Sequence, residues 1–264
     1  MDLGIKGKTA LVTGGSQGIG AGISEELLKN GATVIITSRS SSALEAFLKK
    51  HDAHKKNLIL KQCPLTEENS VETLIDDLKS ENISVDILVN NAGHTFNITD
   101  PYCPQDDWNK IMALNFYVPV RLSNAVIPEM KKKGWGRIVN ITSCAGLENS
   151  GPVTYSVSKA ALTAYTRSMG RVLATESDNV VMVAVYPGVI ATKGGHWEQK
   201  LKDDPEHAKK YLAERCPLGR FGREHEFTPV VAFYCSQYVK WSHGAIIPVD
   251  GGQSKHYSYF NYLE

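Results

Sequence analysis

The sequence lacks the features that mark membrane-spanning, secreted or nucleic-acid-binding proteins. Its longest apolar run, residues 180–186, is far shorter than the ~20 residues that cross a bilayer. Basic residues number 29 against 28 acidic ones, and the net charge of +1 gives no basic surface for nucleic acid or membrane. Residues 1–8 contain no apolar signal segment, so we expect a cytoplasmic protein.

Cysteine is also scarce and carries no recognisable pattern. The five cysteines form no CxxC pair and are odd in number, which is typical of reduced thiols rather than of a disulfide framework. There is no HExxH motif and no Cys/His cluster, so no metal site is expected. We expect buried or half-buried structural thiols at Cys63, Cys103, Cys144, Cys216 and Cys235.

Linkers, internal repeats and low-complexity segments are absent as well. The chain has 264 residues, 42% of them hydrophobic, which is enough for a large core without a disulfide or metal. We therefore predict a single domain over residues 1–264.

Short apolar runs rich in Val and Ile alternate with amphipathic stretches. Several runs are apolar throughout, as in strands covered on both faces, and the stretches between them repeat apolar positions at helical spacing. This alternation indicates a parallel sheet with right-handed crossovers. We predict an α/β fold with a doubly wound, parallel seven-stranded sheet, a Rossmann fold. The predicted strands are residues 9–13, 33–37, 58–62, 86–89, 137–142, 180–186 and 245–249.

Two segments break the alternation. Residues 193–216 are polar, contain two adjacent glycines and lie between the last two strands, where an insertion is often a lid or a binding loop. The tail, residues 254–264, is rich in aromatic side chains, and we expect it to pack on other groups such as a neighbouring subunit. Disorder of the terminus is the alternative. The aromatic residues are Tyr257, Tyr259, Phe260 and Tyr262.

A glycine-rich turn follows the first predicted strand. Gly14, Gly18 and Gly20 are spaced GxxxGxG, and a helix is predicted to begin near Gln17 and Gly18. Glycine lets the backbone approach a ligand closely, and the N-terminus of a helix offers free N–H groups to a pyrophosphate. The position between first strand and first helix indicates a dinucleotide site, with a purely structural turn as the alternative.

The end of the second strand bears on which dinucleotide binds. Proteins that prefer NAD place an acidic residue there, on the ribose 2′-hydroxyl. This chain has Ser38-Arg39 instead, and an arginine can make charge-assisted bonds to a 2′-phosphate. We therefore predict NADP(H) rather than NAD(H). Arg39 stacking on adenine, or pointing into water, remains the alternative.

Tyr155 and Lys159 are four residues apart on a predicted helix, one turn from each other on the same face. A nearby ammonium favours phenolate, so we expect Lys159 to lower the pKa of Tyr155 into a range useful for proton transfer. Ser143 follows the fifth strand, at the edge where ligands bind in such folds. The alternatives are a surface phenol, a solvated lysine and a serine that only caps a turn.

Taken together, these motifs resemble the short-chain dehydrogenase/reductase family over residues 5–252. Within that family the sequence is most similar to bacterial reductases of the β-ketoacyl-carrier-protein type, which end their last strand with a similar Val249-Asp-Gly-Gly252. The resemblance implies hydride transfer between a nicotinamide and a carbonyl or secondary alcohol. The matching motifs are Thr13-Gly-Gly-Ser-Gln-Gly-Ile-Gly20, Asn90-Asn-Ala-Gly93, Asn115, Ser143, Tyr155, Lys159 and Pro187-Gly188.

The resemblance also implies roles for these positions. Tyr155 would be the proton donor, Ser143 would polarise the substrate carbonyl, and Lys159 would hold the nicotinamide ribose and lower the pKa of Tyr155. Asn115 would hold a water that links Lys159 to solvent. Thr192 would lie near the carboxamide, with capping of the lid helix as the alternative. The implied cofactor-binding residues are Gly14, Ser16, Gln17, Gly18, Ile19, Gly20, Ser38, Arg39, Leu65, Asn91, Ala92, Gly93, Tyr155, Lys159, Pro187, Gly188, Val189, Ile190 and Thr192.

Two departures from the family pattern concern the adenosine end. Where the family has an acidic residue after the third strand, this chain has Pro64, which has neither a side-chain acceptor nor an N–H. We expect the main chain of Leu65 to recognise adenine instead. The glycine turn carries Gln17 rather than a basic residue, so Arg39 would hold the 2′-phosphate with help only from Ser16, Gln17 and Ser38.

The sequence also bears on the class of substrate and on the oligomeric state. Polar and aromatic side chains favour a polar or anionic carbonyl substrate over a plain apolar ketone, and Trp197 would stack on a ring. A sugar or nucleotide-sugar substrate, an NAD-dependent alcohol dehydrogenase and a non-enzymatic cofactor-binding protein are the alternatives. The resemblance implies a homotetramer or homodimer. The residues considered for substrate binding are His94, Glu148, Lys193, His196, Trp197 and Glu198.

Overall fold

The computed structural model describes residues 1–148 and 150–254. Seven strands in these residues form one parallel sheet in the order β3-β2-β1-β4-β5-β6-β7. This confirms the predicted fold class, and each strand end lies within one residue of its predicted position. The strands are β1 Thr9–Val12, β2 Thr33–Ser38, β3 Leu58–Gln62, β4 Ile87–Asn90, β5 Gly136–Ile141, β6 Val180–Pro187 and β7 Ile246–Val249.

Helices cover both faces of the sheet and connect its strands. α4 and α5 are joined by a π-helical turn, Ala113–Tyr117, so that the chain runs helically through both. The helices in the described residues are α1 Gly18–Lys29, α2 Ser41–Lys50, α3 Ser70–Ser80, α4 Gln105–Met112, α5 Val118–Lys133, α6 Val153–Glu176, α7 His196–Asp203, α8 Pro205–Arg215 and α9 Glu224–Tyr234.

Alternate residues of the inner strands enter two separate hydrophobic layers. In β1, Val12 joins a layer with α1, α2 and α9, whereas Leu11 joins the layer beneath α3, α5 and α6. Both side chains have no exposed surface. Burial on both faces explains why these strands are apolar throughout, and it fixes their register, because a slip of one residue would exchange the two layers.

The strand order reverses between β1 and β4, and their carboxyl ends are tied together there. The Thr13 hydroxyl accepts hydrogen bonds from the amides of Asn91 at 3.0 Å and Ala92 at 2.9 Å. The Asn91 side chain donates to the Thr13 carbonyl at 2.9 Å. Such a reversal opens a crevice at the carboxyl edge of a parallel sheet, and ligands bind in that crevice in open α/β folds.

Residues 193–216, predicted as a lid, contain the two helices α7 and α8. Trp197 of α7 packs on Tyr211 of α8, with ring centroids 4.4 Å apart, and on Phe221, at 5.1 Å. The expectation for the aromatic tail falls almost wholly outside the described residues, which end at Ser254. All five cysteines are buried and free. In the described part of the chain, no helix has the length and apolar character needed to cross a membrane.

Candidate active site at the carboxyl edge of the sheet

A cavity of about 490 Å³ lies at the carboxyl ends of β1, β2, β4 and β5. It brings together most of the residues predicted for cofactor binding with two of those predicted for catalysis. The predicted residues that line it are Gly14, Ser16, Gln17, Ile19, Gly20, Ser38, Arg39, Leu65, Asn91, Ala92, Gly93, Tyr155, Lys159, Pro187, Ile190 and Thr192.

Five predicted residues do not line this cavity. Gly188 and Val189 line a smaller neighbouring cavity of about 140 Å³. Gly18 begins α1, and a Cβ placed on it would lie 3.6 Å from the Thr192 hydroxyl. Asn115 and Ser143 do not line the larger cavity either, and their contacts are described below.

The glycines allow the turn after β1 to pack closely on itself and on Asn91, which follows β4. Gly14 has a φ of +63°, a conformation that favours glycine. A Cβ on Gly20 would lie 2.2 Å from the Gly14 carbonyl oxygen and 2.4 Å from Nδ2 of Asn91, so no other residue fits there. Helix α1 begins after Gln17 with no side-chain cap and no acidic residue in its first turn. Its N–H groups therefore face the cavity as an anion-binding site.

Arg39 stands at the mouth of the cavity, directly after β2. Its side chain is exposed, and its carbonyl accepts a hydrogen bond from the Gln62 side chain at 3.2 Å. Ser38 lines the cavity beside it. This is the position from which a dinucleotide fold reads the 2′-substituent of the adenosine ribose.

Hydrogen bonds within the protein already occupy the Leu65 amide and the Pro64 carbonyl, two main-chain groups after β3 that adenine would otherwise contact. The Leu65 amide donates to the Cys63 carbonyl at 3.0 Å. The Pro64 carbonyl accepts from the Glu67 amide at 2.8 Å and from the Ser70 hydroxyl at 2.9 Å. The predicted use of the Leu65 main chain is thereby restricted to its carbonyl oxygen.

Asn115 lies in the π-helical turn and is fully buried. Its Oδ1 accepts from the His94 amide at 3.1 Å, and its Nδ2 donates to the carbonyls of His94 at 2.9 Å and Ile111 at 3.0 Å. A Cβ on Gly93 would lie 2.8 Å from Asn115 Oδ1 and 3.0 Å from Nζ of Lys159. The glycine thus allows these two side chains to lie against the wall of the cavity.

Lys159 is only 3% exposed, and its Nζ donates to the Ile141 carbonyl at 2.9 Å. Burial lowers the pKa of Lys159 to about 8, because the charged form loses hydration. A lysine with this pKa is still mostly an ammonium at pH 7. It therefore provides a buried positive charge beside the cavity.

The pKa of Tyr155 corrects a sequence-based expectation. Burial raises it to about 12, and a hydrogen bond with Ser143 only partly opposes this rise. The Lys159 Nζ is 5.8 Å from the centre of the Tyr155 ring, and its charge does not overcome the loss of hydration. Lys159 therefore does not lower the pKa of Tyr155 in this structure. The phenol is protonated at neutral pH and can donate a proton.

Ser143 caps a turn, as the alternative interpretation proposed, and its predicted contact with the substrate carbonyl stays a prediction. Its hydroxyl accepts from the Ala145 amide at 3.2 Å and so caps the short 3-10 turn Cys144–Gly146. It also contributes the hydrogen bond to Tyr155 that lowers the phenol pKa. The cap fixes the hydroxyl close to the phenol.

The capping alternative for Thr192 is wrong, because the residue before α7 is Gly195 and no side chain caps that helix. Among the residues considered for substrate binding, His94 and Trp197 line the cavity. Glu198 instead accepts from the Gly194 amide at 2.6 Å, within the lid itself. The side chain of His196 lies outside the described part of the structure. Glu148 and Lys193 do not line the cavity.

Several residues that line the cavity were not predicted from the sequence, among them Phe96 and Leu114. Leu114 had a detectable signal, since it immediately precedes Asn115, which the family resemblance had already identified. Phe96 had none, because it adopts a φ of +51° that an aromatic residue seldom takes. Its position depends on contacts made after folding.

Comparisons with known proteins agree with this geometry. The family model described as short chain dehydrogenase matches residues 8–202. A 3-oxoacyl-acyl-carrier-protein reductase of Aquifex aeolicus is 35% identical over 257 residues, covering 96% of this chain and 99% of that protein. A 3-oxoacyl-acyl-carrier-protein reductase of Agrobacterium tumefaciens, solved with NADP bound, has a TM-score of 0.86 at 30% identity, with 95% and 96% of the two chains covered.

A reductase named for a sugar substrate is structurally similar to the same degree. The L-sorbose reductase of Gluconobacter frateurii, solved with NADPH and L-sorbose, has a TM-score of 0.85 at 29% identity. The comparison covers 97% of this chain and 99% of that one. The same framework therefore carries both carrier-linked and sugar-type substrates in other proteins.

Proposed function

The chain belongs to the short-chain dehydrogenase family, and from that membership we propose that it is an NADPH-dependent ketoreductase. The observation that carries the proposal is the set of half-buried Tyr155, half-buried Ser143 and buried Lys159 at a cavity that the glycine turn and Arg39 also line. Proton donor and dinucleotide cradle thus meet in one crevice, as reduction of a carbonyl requires.

The residues present fit an NADP(H) molecule. The glycine turn, which lines the cavity, and the uncapped N-terminus of α1 suit its pyrophosphate. Arg39 and Ser38 would hold the 2′-phosphate, and Lys159 would hold the nicotinamide ribose. When bound, the cofactor supplies the hydride. Residues proposed for the remaining contacts are Asn91, Ala92 and Gly93 at the adenosine ribose, and Pro187, Gly188, Val189, Ile190 and Thr192 at the nicotinamide.

The protein's own contribution is the proton. Tyr155, protonated because its pKa is about 12, donates to the carbonyl oxygen of the substrate as negative charge develops there. Ser143 donates a hydrogen bond to the same oxygen. The Lys159 ammonium would stabilise the phenolate left behind once the cofactor and substrate have displaced water from the site. Since the Asn115 side chain is fully hydrogen-bonded within the protein, a relay water would be held by its main chain.

The substrate we propose is a polar carbonyl compound, first of all a 3-oxoacyl thioester of the kind named for the Aquifex and Agrobacterium relatives. A keto-sugar is the second candidate. The specific observation in its favour is Trp197, which lines the cavity and is braced by Tyr211 and Phe221. An aromatic face held in this way suits the C–H face of a sugar ring.

Replacing Tyr155 tests the proposed chemistry. We expect Tyr155→Phe to reduce kcat by about 10²–10⁴-fold, the usual contribution of a positioned general acid. NADPH affinity should stay within about fivefold of the wild type, because the phenol hydroxyl adds at most one hydrogen bond, worth about 1 kcal/mol, to the cofactor. Tyr102→Phe is the matched control, since Tyr102 is 92% exposed. Normal turnover by Tyr155→Phe would contradict the mechanism.

Replacing Arg39 tests the proposed cofactor. Fluorescence titration of wild type and Arg39→Ala with NADPH and NADH should show tight NADPH binding that the substitution weakens by about 10–100-fold, as expected for a lost charge-assisted bond. NADH binding should change little. Equal binding of both cofactors by the wild type would favour an NAD-dependent alcohol dehydrogenase instead.

We also propose that the protein is a homo-oligomer, a tetramer or a dimer. Val153, Val157, Ala160 and Ala164 form an exposed, largely apolar stripe along α6. The alanines permit close approach of a partner helix, and burial of the valines would stabilise the contact. Light scattering should give a mass that is a multiple of 29.0 kDa, and a particle of that mass itself would contradict the proposal.

A further inference from the structure

Three basic side chains from three separate elements converge at the adenosine end of the cavity. Arg39 follows β2, His94 follows β4, and Lys110 is on α4. His94 interacts electrostatically with both of the others: burial lowers its pKa, and the charges of Arg39 and Lys110 lower it further. No carboxylate contributes to that shift. The convergence could not be read from the sequence, where these residues are far apart.

Phe96 connects the three residues to the cavity. Its ring lines the cavity, lies 5.0 Å from the His94 ring and is covered by Nζ of Lys110 at 4.6 Å from its centre. The ammonium is therefore held over an aromatic face at the cavity mouth rather than extended into solvent. Leu114 follows one turn after Lys110 and lines the same cavity, so this face of α4 is turned towards the site.

The loop that carries Phe96 is held in a strained conformation. Phe96 and Asn97 have φ of +51° and +58°, a region that costs non-glycine residues energy. The Phe96 amide donates to Nδ1 of His94 at 2.7 Å, which places the proton of the neutral ring on Nε2. The Asn115 side chain in turn binds both main-chain groups of His94. The strain persists because these contacts hold it.

The cations of this cluster lack acidic partners within the part of the chain that the structure describes. Some lysines elsewhere are paired, as in Lys61 with Glu81 at 2.5 Å and Lys131 with Glu176 at 2.9 Å. Neither Arg39 nor Lys110 forms such a pair with any described carboxylate, Asp106 and Asp107 of α4 included. Two unpaired cations and a histidine at one cavity mouth suit a ligand group with two negative charges.

We propose that Lys110 and His94 act with Arg39 in binding the 2′-phosphate of the cofactor, so that Lys110 is a second determinant of NADP(H) preference. The proposal rests on the proposed function, because it concerns the same cofactor site. A phosphate monoester is the group on the dinucleotide that carries two charges at neutral pH. Lys110 and His94 would supply the additional basic groups that the glycine turn lacks, since the sequence alone gave Arg39 only the uncharged Ser16, Gln17 and Ser38 as partners.

The experiment is a titration of the full-length protein with NADPH and NADH at low and high salt. We compare Lys110→Met with Lys110→Arg and with Lys132→Met, which removes a similar exposed lysine from α5. Lys110→Met should weaken NADPH binding by about three- to fivefold at low salt, as expected for one partly exposed charge. Lys110→Arg and Lys132→Met should bind as the wild type does, and NADH affinity should be the same throughout.

Salt separates an electrostatic role from a structural one. At about 1 M salt, where charges are screened beyond ~3 Å, Lys110→Met and wild type should bind NADPH almost equally. Equal loss of NADPH and NADH binding, or a difference that persists at high salt, would mean that Lys110 only packs on Phe96 and would overturn the proposal. An unchanged NADPH affinity with a raised KM for substrate would overturn it too.

The same titration distinguishes failure of this inference from failure of the proposed function. If Arg39→Ala weakens NADPH binding and Lys110→Met does not, the cofactor assignment stands and the role of Lys110 is rejected. If the wild type binds NADH as tightly as NADPH, the cofactor assignment itself fails, and with it the inference.

Discussion

Gly20→Ala is the substitution for which the structure gives the sharpest expectation. Gly20 lies within α1, where replacing glycine by alanine ordinarily stabilises a helix by about 1 kcal/mol. Here the new Cβ would lie 2.2 Å from the Gly14 carbonyl oxygen and 2.4 Å from Nδ2 of Asn91. The two effects have opposite signs, so their magnitudes decide the outcome.

The steric effect is the larger one. Overpacking typically costs about 1–3 kcal/mol, and the upper part of this range applies because the nearest atom is backbone. Moving the Asn91 side chain would also break its hydrogen bonds to the carbonyls of Thr13 and Gly14, each worth about 1 kcal/mol. After the helix gain is subtracted, we expect a net loss of about 3 kcal/mol. For a chain of this size that lowers Tm by about 6–12 °C.

Cofactor affinity should fall with stability, because the Gly14 carbonyl and the Asn91 side chain would have to move, and both residues line the cavity proposed to hold the cofactor. We expect NADPH to bind at least about tenfold more weakly, a loss of about 1.4 kcal/mol. Gly134→Ala is the matched control. Gly134 has a φ of +66° with no atom within 4 Å of its Cβ position, so alanine should cost about 1–2 kcal/mol of stability and leave NADPH affinity unchanged. If Gly20→Ala keeps both its Tm and its NADPH affinity, the assignment of this turn as the pyrophosphate cradle is refuted.

Two further predictions concern the buried lysine and the lid. With a pKa of about 8, Lys159 is an ammonium below that pH, so kcat/KM for reduction should be level at neutral pH and fall above about pH 8; a Lys159→Met variant that shows the same fall would contradict the assignment. Gln253 accepts from the Val189 amide at 2.9 Å and donates to the Tyr211 hydroxyl at 3.0 Å, joining α8 to the loop after β6. Gln253→Leu should raise KM several-fold with little change in kcat and hasten proteolysis of residues 193–216, whereas Gln199→Leu, on the exposed face of α7, should do neither.

The strands could be predicted because burial on both faces of the sheet requires apolar residues at nearly every position. A strand covered on both faces must be apolar along its length, so the run at 33–37 located β2 to within one residue of Thr33–Ser38. Helix α8 also had a signal that the sequence analysis did not use. Asp204 precedes Pro205, and the Asp204 carboxylate accepts from the His207 amide at 3.1 Å as an N-cap.

The properties that were not predictable depend on groups that meet only after folding. The pKa of Tyr155 follows from the loss of water around its hydroxyl, which sequence spacing to a lysine does not report. Phe96 adopts a backbone conformation that its own residue type disfavours, and it does so because His94 and Asn115 hold it. At such a site the intrinsic backbone preference of a residue does not predict its conformation, as is typical where strain serves a function.

Helix α4 and the π-helical turn after it contact both ends of the site, where we propose 2′-phosphate binding and proton transfer. Lys110 and Leu114 face the adenosine end of the cavity, and Asn115, the next residue, lies against Gly93 and Lys159 at the catalytic end. Asn115 also holds the main chain of His94, and through it the loop that carries Phe96. A substitution of Asn115 would therefore disturb the proton relay and the basic cluster together. Loss of activity in such a variant cannot by itself assign Asn115 to proton transfer, and its discrimination between NADPH and NADH has to be measured alongside.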